Sequence, residues 1–168
     1  LRRLVLLLSV LTAQTAYAAP VAAPHLTTQS FDALAQPLPL PYDSRANAKA
    51  AIAAARARAI ANGKLLLIDL GGNWCPDCRV LAGTMALPDL HAFIEKHYDV
   101  VMVDIGRYDH NMDVPAHYGL GRPAGVPAII IVNPKTDAVL NAGHTTALSD
   151  ARNMSPQALA DWLASWTR

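Results

Sequence analysis

Cysteine is almost missing from this 168-residue chain: there are two, Cys75 and Cys78, and they share one tetrapeptide. A scaffold stapled by several disulfides is thereby excluded. A closed four-ligand zinc site is excluded too, because no second CxxC and no HxxxH occurs among His25, His91, His97, His110, His117 and His144. Aromatics are scarce, with two Phe, five Tyr and three Trp, and 14 Lys and Arg face 13 Asp and Glu. A chain so balanced and so poor in stacking surface lacks the electrostatic footprint of a nucleic-acid or anionic-membrane binder. The N-terminal apolar run, Leu4 to Leu11 broken only by Ser9, falls well short of the roughly 18 residues that a spanning helix needs.

What is present starts with an address. Arg2 and Arg3, the apolar run after them and Ala16-Tyr17-Ala18 have the form of a secretory leader with a small-x-small cleavage pattern. Residues 1–18 are expected to be removed as a signal peptide, with the periplasm as destination. Residues 19–43, with proline at 20, 24, 37, 39 and 41, read as a linker or surface-draped arm. Residues 44–168 then form one domain with a single core.

Within that domain, Asp43 or Ser44 is placed to cap an Ala-rich helix that runs to Asn62, turns Ile52 and Ile60 inward and stops at Gly63. Leu65 to Leu70, Val100 to Ile105, Ala128 to Val132 and Ala138 to Ala142 read as strands, the last two joined by a hairpin turn over 133–137. Helices are expected from Cys75 to Met85, from Pro88 onward with Leu90, Phe93, Ile94 and His97 on one face, and from Ser155-Pro156 onward with Leu159, Trp162, Leu163 and Trp166 inward. Residues 109–118 read as a loop leading into a short helical turn. The first connections are helical crossovers and the last is a hairpin, which implies an α/β fold with a central mixed β-sheet flanked by helices.

The chemistry concentrates at Cys75-Pro76-Asp77-Cys78. Two thiols at this spacing sit on the first turn of a helix, close enough to form and break a disulfide. The first lies where free backbone N–H groups and the helix dipole favour a thiolate. So small a loop constrains little of the unfolded chain, and the spacing favours chemistry over stapling. Asp69 lies inside the preceding apolar strand, where burial raises the pKa of a carboxyl. Asp77, beside the thiols, opposes thiolate formation and should make the couple less oxidising than a basic residue would.

The run from Leu66 through Gly71-Gly72-Asn73-Trp74 to Cys78, with Tyr118-Gly119-Leu120 and then Val126-Pro127-Ala128 ahead of a later strand, resembles the thioredoxin superfamily over about Ser44 to Arg168. The resemblance implies a thioredoxin-like fold and thiol–disulfide exchange, with no metal and no cofactor beyond the redox-active Cys75–Cys78 disulfide. Cys75 would attack, Cys78 would resolve, and Asp69 would serve Cys78 as general base through water. Pro127 would follow Val126 in a cis bond, and both would bind substrate together with Trp74, Pro76 and Asp77. The expected protein is a monomeric periplasmic reductase of protein disulfides, recharged by a membrane electron-donor protein. An oxidase or isomerase, a Cu(I)-binding module using both thiols, and a partner-binding domain that keeps only the fold stand as alternatives. Between Gly106 and Pro123 the chain, with Arg107, His110 and His117, is more elaborate than the compact family pattern.

Overall fold

Seven residues, Leu65–Gly71, form the central strand β1, an apolar run bounded by glycines and covered on both faces. The computed structural model describes residues 21–167, so the leader expected over 1–18 lies outside the described residues. Strand β2, Tyr98–Asp104, pairs with β1 in parallel, with Leu65 opposite Tyr98 and Gly71 opposite Asp104. Strand β3, Ala128–Val132, pairs on the other side in antiparallel register, from Leu66 opposite Val132 to Leu70 opposite Ala128. The sheet is mixed, in the order β2-β1-β3.

Alternation along β1 feeds two cores. Leu66, Ile68 and Leu70 belong to a cluster with Ala55 and Ala59 of helix α1, Ala48–Asn62. Leu67 packs instead with Leu81 of α2, Pro76–Met85, Leu90 and Ile94 of α3, Pro88–His97, and Leu159 and Leu163 of α5, Pro156–Ala164. A short helix α4, Asp113–His117, and two 3-10 turns, Phe31–Ala33 and Ala151–Asn153, complete the order. Helix α1 differs from expectation in two respects. It starts after Asn47, whose side chain accepts the Ala50 N–H, because Asp43 is spent on a turn that engages the backbone N–H of Arg45 and Ala46. Its inner face is built from Ala48, Ala55 and Ala59, and Ile60 is 44% exposed; small side chains let the helix lie close on the sheet.

The strand expected over Ala138–Ala142 is reduced to a single bridge between Val132 and Val139. Its place on the edge of β3 is taken largely by one side chain. The buried Asn141 carboxamide accepts from Ile131 N–H at 2.9 Å and donates to the Ile129 carbonyl at 2.8 Å. Leu140 N–H and the Thr145 carbonyl supply the neighbouring bonds. The edge is satisfied without a ladder, and among the described residues the pairing beyond β3 stops at that bridge.

Residues 21–43 are fastened to the domain. Leu26, Leu34 and Tyr42 are buried in it. Gln157 of α5 holds Leu26 N–H and the Pro24 carbonyl, and Arg79 of α2 holds the carbonyls of Leu38 and Pro39. The arm therefore ends in a defined place, at the turn that follows β1.

Candidate active site

The turn between β1 and α2 is locked from both sides. Cys75 N–H donates to the Gly72 carbonyl, and the Asn73 side chain clasps both backbone groups of Tyr42, at 2.8 and 3.1 Å. Cys75 itself is the N-cap of α2: its Sγ accepts the Cys78 N–H at 3.2 Å, the place an Asp or Ser oxygen takes elsewhere. Pro76 occupies the first helical position, where no N–H is needed.

This arrangement separates two chemically equal residues. Hydrogen bonding from the Cys78 thiol, aided by the backbone N–H groups of Cys78 and Asp77, lowers the Cys75 pKa to about 7 against the opposing effect of burial. Cys78, fully buried, is pushed up by its hydrogen bond to Cys75 and then by burial. Both are free thiols, and Cys75 is the nearer to solvent at 3% exposure. The Cys75 thiol also lies 3.4 Å from the Val126 carbonyl, and the Val126–Pro127 peptide is cis.

Asp69 is fully buried, and burial pushes its carboxyl up to about 7 despite the hydrogen bond that it accepts from Tyr42. Tyr42 Oη donates to Asp69 Oδ1 at 2.9 Å, while Oδ2 is buried without a partner. Gly71 makes room for this group: a Cβ there would stand under 3.0 Å from both the Tyr42 hydroxyl and Cys78 Sγ.

The residues expected to meet substrate divide into two sets. Trp74, 41% exposed, and Pro76 stand at the surface. Val126 and Pro127 are buried beside the thiols. Asp77 is buried as well, and its Oδ1 accepts the backbone N–H of Arg152 at 2.9 Å and its Nε at 3.1 Å. The segment after β2 supplies the rest of the rim. Trp74 Nε1 donates to the Gly106 carbonyl at 2.7 Å, and the Arg107 guanidinium lies 4.6 Å above the indole. A cleft of about 380 Å³ opens beside them toward His110, which pairs with Asp109 at 2.8 Å. His117 points elsewhere, to Asp137 at 2.9 Å.

Sequence reasoning missed Tyr42, Arg107 as a cover for Trp74, and Arg152. Each reaches the site across a gap in sequence, and none carries a local motif. Among the described residues no cluster of three His, Cys, Asp or Glu side chains is placed to hold a metal.

Comparisons with known proteins agree with this geometry. A family model described as thioredoxin-like matches residues 47–134. The crystal structure of disulphide isomerase from Xylella fastidiosa Temecula1 matches with a TM-score of 0.71 and 35% identity, over 76% of this chain and 96% of that one. Thioredoxin of Ophiophagus hannah is 33% identical over 57 residues, 34% of this chain; the chain spans about half, 49%, of the length of that curated relative.

Proposed function

This chain belongs to the thioredoxin-like family, and on that premise we propose that it is a thiol–disulfide oxidoreductase that reduces disulfides of exported proteins in the periplasm. The observation that carries the proposal is the Cys75 sulfur at the N-terminus of α2, held by the Cys78 N–H and lowered to a pKa of about 7. At neutral pH a large share of Cys75 is thiolate, the nucleophilic form.

The thiolate attacks a substrate disulfide. A Cys75–substrate mixed disulfide forms, and the other substrate sulfur leaves as thiolate. Cys78 then loses its proton and attacks Cys75 Sγ, which completes the Cys75–Cys78 disulfide and releases the second substrate sulfur. Asp69, its pKa raised to about 7 by burial, receives the Cys78 proton. The substrate is reduced by two electrons and the enzyme couple oxidised by two. Turnover requires a dithiol donor, for which a membrane electron-donor protein is proposed, and the protein is taken to act as a monomer.

Isomerisation is the second reading, favoured by the structural relative described as a disulphide isomerase. Both readings share the mixed disulfide and differ in the potential of the couple. A reduction potential near about −270 mV, with reduction of insulin disulfides that is lost in Cys75→Ser, supports the reductase. A potential near about −180 mV with reactivation of scrambled ribonuclease makes it an isomerase. Absence of both activities in the parent protein overturns the proposal.

A further inference from the structure

The arm brings a buried hydroxyl to Asp69 and Cys78. The thioredoxin-like match begins at residue 47, and Tyr42 lies before it. Yet Tyr42 is buried, its backbone is clasped by Asn73, and its hydroxyl donates to Asp69 Oδ1 at 2.9 Å. The same hydroxyl converges with Cys78 Sγ on the space over Gly71 that a Cβ would fill. A phenol has one proton to donate and two lone pairs with which to accept. The donor is spent on Asp69, which leaves the oxygen its lone pairs to accept a proton from the thiol beside it.

We propose that Tyr42 is a catalytic proton relay, its hydroxyl carrying the Cys78 proton to Asp69 in the resolving step. This rests on the oxidoreductase reading and replaces the water expected between acid and thiol. As Cys78 attacks Cys75 Sγ, its S–H bond breaks and the proton goes to Tyr42 Oη, while the proton of Tyr42 moves to Asp69 Oδ1. The tyrosine is neutral before and after, as its burial requires, since desolvation and the nearby Asp69 and Cys78 push its pKa far up. The Cys75–substrate sulfur bond breaks, and the substrate thiolate takes its proton from solvent or from Asp69. The titratable groups around Asp69 are Tyr42 from the arm, Cys75 at the N-cap of α2 and Cys78 within it.

The test uses the reduced full-length protein and 5,5′-dithiobis(2-nitrobenzoate) in stopped flow. Attack by Cys75 releases the first thionitrobenzoate, and resolution by Cys78 releases the second. Tyr42→Phe is expected to leave the first phase within about twofold and to slow the second about tenfold or more at neutral pH. The second phase should then climb with pH toward the ionisation of the thiol itself. In an Asp69→Asn background Tyr42→Phe should add nothing. A second phase equal to that of the parent in rate and pH profile overturns the relay, and so do slowings that multiply in the double variant. A structural readout accompanies the rates: the Asp69 carboxyl carbon, followed by NMR, should titrate higher in Tyr42→Phe because a donor to the carboxylate is gone, and an unmoved titration counts against the relay. If the parent shows both phases but reduces no protein disulfide, the functional reading fails while the relay stands. If it reduces insulin and Tyr42→Phe behaves as parent, the relay alone fails.

Discussion

Arg152 holds the Asp77 carboxylate through two donors, its own backbone N–H at 2.9 Å and its Nε at 3.1 Å, across 75 residues of sequence. The acid inside the CxxC loop is thus paired with a cation from the 3-10 turn Ala151–Asn153, and that pairing moderates its effect on the thiols. Asp77 still acts on Cys75 in two directions. Its charge raises the thiol pKa and its backbone N–H lowers it.

Changing either partner should therefore move Cys75. Arg152→Ala keeps the backbone bond but removes the guanidinium, and the Cys75 midpoint should rise from about 7. Asp77→Asn removes the charge and should lower it, each by about half a unit. The pH dependence of iodoacetamide alkylation in the reduced protein reads both. Identical midpoints in the two variants and the parent would mean that the carboxylate does not reach the sulfur.

The Asn141 carboxamide replaces strand pairing on β3, so its loss should be expensive. Asn141→Ala leaves the Ile131 N–H and the Ile129 carbonyl buried and unpaired and opens a small cavity. Urea unfolding should show about 2–4 kcal/mol of destabilisation with little change in the slope. A loss below about 0.5 kcal/mol would show that the edge finds other partners.

These two residues mark where sequence pattern stops informing. β1, β3 and the CxxC helix were legible because each is a local signal: an apolar run between glycines, or a thiol followed by proline at a helix start. Asp69 was legible for the same reason, as one carboxylate in an apolar strand. Asn141 has the local pattern of a strand because Val139 and Leu140 beside it are strand formers, and nothing local announces that a side chain will complete a ladder. Hydrophobicity turns Ile52 and Ile60 inward; Ile52 does pack against the core, but Ile60 is exposed. Close packing on the sheet selects alanine instead, at Ala55 and Ala59. Tyr42 and Arg152 depend on contacts across 27 and 75 residues, which periodicity does not encode.

The exposed Trp74 with Arg107 stacked on it belongs, with Pro76, to the accessible part of the site, and it should govern docking rather than chemistry. A cation–π contact at such a site contributes about 0.5–1 kcal/mol. Arg107→Ala is expected to raise KM for a protein disulfide about two- to fivefold, leaving kcat and the Cys75 alkylation midpoint in place. Trp74→Ala should raise KM further, since it removes the ring and its bond to the Gly106 carbonyl. A change confined to kcat would assign the pair to positioning Cys75 instead.

The opposed pKa shifts of Asp69 and Cys75 should bend the stability of the reduced protein with pH. Asp69 is raised from 3.8 to about 7. Between these values the native state keeps a proton that the unfolded chain has released, so stability is fully present below about pH 4 and falls as pH rises through 7. The whole shift corresponds to a cost on the order of 4 kcal/mol. Cys75 is lowered from 9.0 to about 7, so between those values the unfolded chain keeps the proton and stability rises with pH. Urea unfolding of the reduced parent should therefore pass through a minimum near neutrality. Asp69→Asn removes the falling limb; after the pH-independent penalty of an unpaired buried amide it should gain roughly 1–3 kcal/mol at about pH 8 and lose roughly 1–3 kcal/mol at about pH 4. Cys75→Ser should remove the rising limb and, by taking away the charge that raises Asp69, shrink the falling one slightly. The difference between parent and Asp69→Asn isolates this carboxyl from the exposed Asp109–His110 pair, whose histidine is raised and titrates in an overlapping window. If that difference is the same at about pH 4 and pH 8, Asp69 ionises normally despite its burial and is too weak a base to be matched to the Cys78 proton.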